Sequence, residues 1–153
     1  MNYLSLNGIE NILSQFVVAD PNLKQFGFGQ LYNQAGETKA NQVYPGLWAQ
    51  LTSTTPVEYE VRRTFQIIIY DVPFENHNKV ISDCEEYAFR LMRFLRLNSD
   101  DFALFSDPII TPFTDKFLDD VCGVIIDLTI SSNGESSNCE DPVYNFQIKT
   151  NNI

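Results

Sequence analysis

Residues 57–97 constrain the fold more than any other stretch. They begin with alternating apolar and polar residues, the pattern of a β-strand with one buried face. The apolar positions are Val57, Tyr59, Val61, Phe65, Ile67 and Ile69. After Asn76, a residue type preferred at the N-cap of helices, the spacing becomes helical. One broad apolar stripe then comprises Val80, Ile81, Cys84, Tyr87, Ala88, Leu91, Phe94 and Leu95. We expect the apolar strand face to pack on this stripe and form the core.

Shorter apolar runs precede this stretch. Helical spacing over residues 9–18 predicts a short first helix, which Asp20-Pro21 ends. Two glycines among the apolar residues of 23–32 indicate an edge strand. Residues 43–51 predict a further strand, with Trp48 in the core.

Connections and later strands follow from the same patterns. The polar residues 52–56 predict the hairpin connection into the long strand. Residues 102–110 indicate a strand or an irregular extended segment, and residues 111–115 indicate a turn. Residues 117–131 predict a second long strand, and its continuous apolar middle, residues 124–126, predicts burial on both sides.

The expected fold class is α+β. We predict a mostly antiparallel sheet of about four long strands, with one short and one long helix packed on one face. The other sheet face is expected to be polar. At 153 residues the chain suits a single domain over residues 1–135, followed by a C-terminal extension over residues 136–153. No apolar run approaches the roughly 18 residues that span a membrane, and the first residues lack a secretory leader pattern, so a non-membrane protein of the cytoplasm is expected.

The negative charge is concentrated in the last third of the chain. The net charge is -10, and residues 98–153 hold ten acidic and two basic residues. This balance argues against tight binding of nucleic acid, which requires clustered Lys and Arg. It suits a surface that meets a basic protein or repels a phosphate backbone.

No residue pattern indicates an enzyme, a cofactor or a metal site. His77 is the single histidine. The wide spacing of the three cysteines favours reduced thiols over a metal site or a disulfide, with Cys84 and Cys122 buried and Cys139 in a polar turn that can expose it. One acidic cluster comes near a cation-ligand set without the glycine and terminal glutamate of a calcium loop; it comprises Asp115, Asp119 and Asp120. An enzyme built on these carboxylates is the weakest hypothesis, and stabilisation by metal would revive it.

Two segments are candidate assembly surfaces. The first is a charged set on the long strand, where exposed pairs favour specific contact over catalysis; it comprises Glu58, Glu60, Arg62 and Arg63. The second is an alternating segment near the C-terminus, Tyr144, Phe146 and Ile148. It predicts either a frayed last strand or an arm that adds to the sheet edge of another subunit.

The order of these elements resembles small tail-terminator and neck proteins of tailed bacteriophages. The likeness covers residues 1–135 and rests on Tyr44-Pro45-Gly46-Leu47-Trp48, Ile67-Ile68-Ile69-Tyr70-Asp71, Thr111-Pro112-Phe113-Thr114 and Gly123-Val124-Ile125-Ile126-Asp127-Leu128-Thr129-Ile130. The resemblance implies an antiparallel sheet flanked by helices and a structural role without catalytic residues. Residues 139–153 depart from the family pattern, which does not require them.

The resemblance also implies partners and a location. Such proteins form rings between the portal and the tail of the virion, of six copies in long-tailed and twelve in short-tailed viruses, after assembly in the host cytoplasm. Their partners are further copies and the neighbouring portal, adaptor or tail proteins, with DNA passing through the lumen without specific binding and no membrane. The acidic residues Asp100, Asp101, Asp115, Asp119 and Asp120 would line the lumen or a docking surface.

A small cytoplasmic adaptor is the competing hypothesis. It would use the same polar sheet face to hold a peptide or a protein. Oligomeric state separates the two hypotheses, because a ring subunit must carry complementary surfaces that close, whereas an adaptor can remain a monomer.

Overall fold

The computed structural model describes residues 3–30, 43–73, 76–114 and 121–134. In chain order these residues form α1 (Leu6–Ala19), β1 (Gln25–Phe28), β2 (Gly46–Val57), β3 (Glu60–Asp71), α2 (His77–Leu97), β4 (Phe102–Leu104), β5 (Ile109–Thr114) and β6 (Cys122–Asn133). The predicted α+β class is confirmed. Side-chain caps begin both helices, as Ser5 accepts from the Gly8 amide and Asn76 accepts from the Asn78 amide.

All six of these strands lie in one sheet, with the order β1-β2-β3-β6-β4. β3 pairs with β6 along its whole length, so β4 and β5 both pair with the opposite edge of β6, one at each half. They therefore act as a single edge strand that is interrupted at residues 105–108. β1 pairs with β2 in parallel, and every other pairing between these six strands is antiparallel.

The prediction of about four long strands is wrong in number. Three strands, β2, β3 and β6, have 12 residues each, and the other three are short. The sheet is mixed because β1 runs parallel to β2. Alternation along a single segment indicates a strand but contains no information on the direction of its neighbour, so the parallel pair was not predictable from the pattern.

Both helices pack on one face of the sheet, as predicted. Phe65, Ile67 and Ile69 of β3 are fully buried there. The rings of Phe16 in α1 and Phe94 in α2 lie 5.4 Å apart, so the helices also contact each other. Burying one such large apolar side chain stabilises the fold by about 1.5–3 kcal/mol. We call this face the inner face.

The hairpin between the first two long strands lies further along the chain than predicted. β2 continues through residues 52–56, and the turn is formed by Glu58 and Tyr59. Serine and threonine adopt extended structure readily at an exposed edge, and this explains why a polar stretch is strand here. Tyr59, predicted to be buried, is 72% exposed in the turn. The predicted turn at residues 111–115 is also wrong, because β5 includes Thr111–Thr114.

The outer face of the sheet is not polar throughout. A second apolar cluster lies there, formed by Trp48, Ile68, Tyr70, Phe113, Val121 and Ile125. Trp48 is thus buried as predicted, but on the face opposite to the helices. Val124, Ile125 and Ile126 are all buried, which confirms that the middle of β6 is covered on both sides. The polar part of the outer face is confined to the half nearer the Glu58-Tyr59 turn.

Candidate assembly surface

The polar half of the outer face crosses the three long strands. Strand register places Thr64 and Gln66 of β3 between β2 and β6. The Gln50 amide donates to the Gln66 side-chain oxygen at 3.2 Å, and the hydroxyls of Thr64 and Thr129 lie 3.0 Å apart. These side chains are therefore held in place by one another before any partner binds.

The hairpin end of this face carries a charged and aromatic cluster. Glu60 accepts a hydrogen bond from the Arg62 guanidinium, and the two form an ion pair. The same guanidinium lies 3.9 Å from the centre of the exposed Phe105 ring. An open groove beside it is lined by Val57, Glu58, Tyr59, Glu60, Arg62, Ser132 and Asn133. Exposed ion pairs and cation–π contacts each contribute up to about 1 kcal/mol, so their main effect is to orient Arg62.

Arg63 does not lie in this cluster. Its side chain points to the inner face, where it is buried and donates to the Leu4 carbonyl at 2.9 Å and to the Ser132 hydroxyl at 3.4 Å. Alternation explains the difference, because Arg63 shares its face with Phe65 whereas Glu60 and Arg62 lie on the other. Of the four predicted strand residues, Glu58, Glu60 and Arg62 therefore come together, and Arg63 anchors the N-terminal segment.

The other predicted assembly residues are dispersed or outside the described ranges. Asp100 is exposed and Asp101 is half-buried in the connection that follows α2. The remaining acidic residues, Asp115, Asp119 and Asp120, lie outside the described residues, as do Tyr144, Phe146 and Ile148 and the whole predicted extension over residues 136–153. Cys139 lies there too.

One buried ion pair was missed by the sequence patterns. Arg90 of α2 donates to both carboxylate oxygens of Asp20, at 2.8 and 2.9 Å, and its guanidinium also lies 4.8 Å from the Tyr87 ring centre. Burial acts to raise the pKa of Asp20, but the hydrogen bonds from Arg90 and from the amides of Asn22 and Leu23 hold it below its ordinary value. Seventy residues separate the two partners, and no local pattern connects them.

The described cysteines are buried in their reduced form. Burial raises the pKa of the Cys84 thiol, so its reactive thiolate is disfavoured. The Cys122 thiol faces the His77 carbonyl at 4.0 Å. Within the described ranges, no group of three or more His, Cys, Asp or Glu side chains is arranged to hold a metal ion.

A second groove lies between α2 and the start of β5. It is lined by Phe89, Met92, Arg93, Arg96, Leu97, Asp107, Pro108 and Ile110. Phe89 and Leu97 are 51% and 78% exposed. We call it the α2–β5 groove.

Neither described helix is long and apolar enough to cross a membrane. Comparison of the chain with models of known protein families gives no match, and comparison with curated proteins gives none either. Functional assignment therefore depends on the geometry of the surfaces described above.

Proposed function

We propose that this chain is a structural subunit of a tailed-bacteriophage virion. It forms a ring at the junction of head and tail, as a tail terminator or neck protein, and docks the adjacent portal, adaptor or tail ring. The observation that carries the proposal is that, among the described residues, helices cover the sheet on its inner face only. The half of the outer face nearer the Glu58-Tyr59 turn is polar, and its side chains are already ordered by Gln66, Thr64 and the Glu60–Arg62 pair.

The charge of the chain supports a ring around DNA. Residues 98–153 hold ten of the twenty acidic residues but only two of the ten basic ones. An acidic lumen repels the phosphate backbone, so DNA passes through such a ring without adhering. The ring has no cofactor and performs no catalysis under this proposal.

Native mass spectrometry tests the proposal directly. The purified full chain is measured at low and high protein concentration, and large species are imaged by negative-stain electron microscopy. A closed ring is expected, with six copies for a long-tailed and twelve for a short-tailed virus. A monomer at both concentrations would contradict the ring.

A protein-binding adaptor is the second candidate. The open groove beside the exposed Tyr59 favours it, since exposed aromatic side chains are frequent anchors in peptide recognition. A monomer that binds one partner through this groove is its expected form. Tyr59→Ala would then abolish partner binding without changing oligomeric state.

A further inference from the structure

The α2–β5 groove combines apolar surface with two arginines. Phe89, Arg93 and Arg96 recur three and four residues apart, so they lie along one stripe of α2, and Leu97 adjoins them. Pro108 and Ile110 form part of the opposite wall of this groove, which has a volume of about 470 Å³. Phe89 and Leu97 are highly exposed, so the residues that the structure describes leave this apolar surface uncovered.

The charge of the α2–β5 groove indicates what kind of segment can bind there. Ion pairs among the described residues involve Arg62, Lys79 and Arg90, and neither Arg93 nor Arg96 takes part in one. Among the described residues that line the groove, Asp107 is the one acidic residue, so the two arginines give this lining a net positive charge. An acidic segment that also carries apolar side chains complements this surface.

Two of the described sheet edges, the hairpin end of β2 and β5, are poorly suited to strand addition. Val57 and Glu60 form the hydrogen-bonded pair next to the hairpin turn. From this pair on, only every second residue of β2 forms backbone hydrogen bonds with β3. Pro56 is one of the residues between, so its nitrogen points away from β3. Pro112 of β5 must likewise point away from β6, because it has no N–H to donate. A proline at an outward position removes a donor that an added strand would need.

We propose that the α2–β5 groove binds residues 140–148 of a second copy of this chain. Glu140 and Asp141 pair with Arg93 and Arg96, and the aromatic residues that follow, Tyr144 and Phe146, pack on Phe89 and Leu97. This inference rests on the proposed function, since it names the contact that joins neighbouring ring subunits. The contact is heterologous, with a groove on one copy and a segment on the next, and such contacts generate rings when the rotation closes.

The length of the chain permits this exchange. β6 ends at Asn133, so the six residues 134–139 separate the sheet from the acidic pair. Fully extended, six residues reach at most about 22 Å, enough to leave the subunit surface and meet a neighbour in contact with it.

Charge reversal in the full chain tests the contact. We expect R93E/R96E and E140R/D141R each to raise the dissociation constant of self-association by about tenfold or more, and the fourfold combination to restore it to within about threefold of wild type. K24E/K79E is the matched control, because it reverses two exposed lysines outside the groove by the same charge; we expect a change under about twofold. Sedimentation equilibrium measures all four proteins against wild type, and circular dichroism checks their fold.

A cross-linking experiment identifies the occupant. A photoreactive amino acid at position 97 is placed in an isotopically light chain that is mixed with a heavy chain. A light–heavy adduct at residues 140–148 supports the proposal. Adducts within one chain only, or at another segment, overturn it.

The two proposals fail in different ways. Rings that persist unchanged in R93E/R96E overturn the groove contact and leave the ring function intact. Absence of self-association in the wild-type chain contradicts the ring itself.

Discussion

At the scale of single residues, Asp20 links the end of α1 to the middle of α2. Its side chain is buried, accepts from the amides of Asn22 and Leu23, and receives two hydrogen bonds from Arg90. A buried carboxylate is stable only when its charge is compensated, so the pair fixes the position of both helices on the inner face.

Arg90→Ala is expected to lower the free energy of unfolding by about 1.5–3 kcal/mol, since it leaves the Asp20 carboxylate buried without its charged partner. Chemical denaturation at pH 7 measures the loss. Lys79→Ala is the control on the same helix, where the ion pair with Asp83 is exposed and 4.0 Å long; its effect should stay below about 0.5 kcal/mol. Equal effects would show that the Asp20–Arg90 pair contributes no more than an exposed one.

Low pH should remove the stabilisation that the Asp20–Arg90 pair provides. The pKa of Asp20 is lowered by folding, so its stabilisation is present above the ordinary value of 3.8 and is lost as the pH falls through the folded-state pKa. We therefore expect the stability difference between wild type and Asp20→Asn to be largest near neutral pH and to shrink below 3.8. A difference that is independent of pH would contradict this assignment.

At the scale of elements, the β2–β3 hairpin determines where the candidate assembly surface ends. Glu58 has a φ of +42° and is the one non-glycine residue with a positive φ in the described ranges. Residues other than glycine adopt this left-handed region at a cost of about 1–2 kcal/mol. The strained turn is tolerated because the two strands of the hairpin continue into buried pairs such as Ala49 with Ile67.

Glu58→Gly should consequently raise the unfolding free energy by about 0.5 kcal/mol, as the relief of backbone strain exceeds the entropy that glycine adds to the unfolded chain. Thermal denaturation is the measurement. Tyr59→Gly provides the comparison at the neighbouring position, where φ is not positive, and it should be destabilising. If Glu58→Gly were less stable than wild type, the Glu58 side chain would stabilise the hairpin by more than its backbone strain destabilises it.

At the scale of the whole molecule, one sheet separates two sets of side chains with different tasks. Its inner face supplies stability through residues such as Ile67 and Phe65, which are fully buried between sheet and helices. Its outer face combines the second apolar cluster with the polar half that we assign to assembly. Folding and self-association should therefore respond to different substitutions.

Ile67→Asp should abolish cooperative folding, because an unpaired charge in the core costs more than about 4 kcal/mol, a large part of a typical domain's stability. Glu60→Ala should leave the monomer folded and weaken assembly by releasing Arg62 from its ion pair. Circular dichroism reports folding and native mass spectrometry reports assembly. Glu85→Ala, exposed on α2, is the control for the second variant.

An Ile67→Asp protein that melted like wild type would refute the assignment of the inner face. Assembly that weakened equally in Glu60→Ala and Glu85→Ala would refute the special role of the hairpin cluster.

Local patterns alone determined both helices, the Asn76 cap of α2 and the buried strand face. Helical and alternating periods are properties of neighbouring residues, so α1, α2 and the burial of Phe65, Ile67 and Ile69 were predictable. The continuous apolar run in the middle of β6 was sufficient to predict its two-sided burial. These features require no knowledge of which segments meet.

Tertiary structure decided the features that depend on distant partners. The parallel pairing of β1, the turn at Glu58-Tyr59 and the second cluster around Trp48 follow from register between strands. Register also placed Arg63 on the buried face, beside Leu4 and Ser132, and helix packing brought Arg90 to Asp20. The physical reason is that burial and pairing free energies arise between residues far apart in the chain, and a residue's local pattern does not identify its partner.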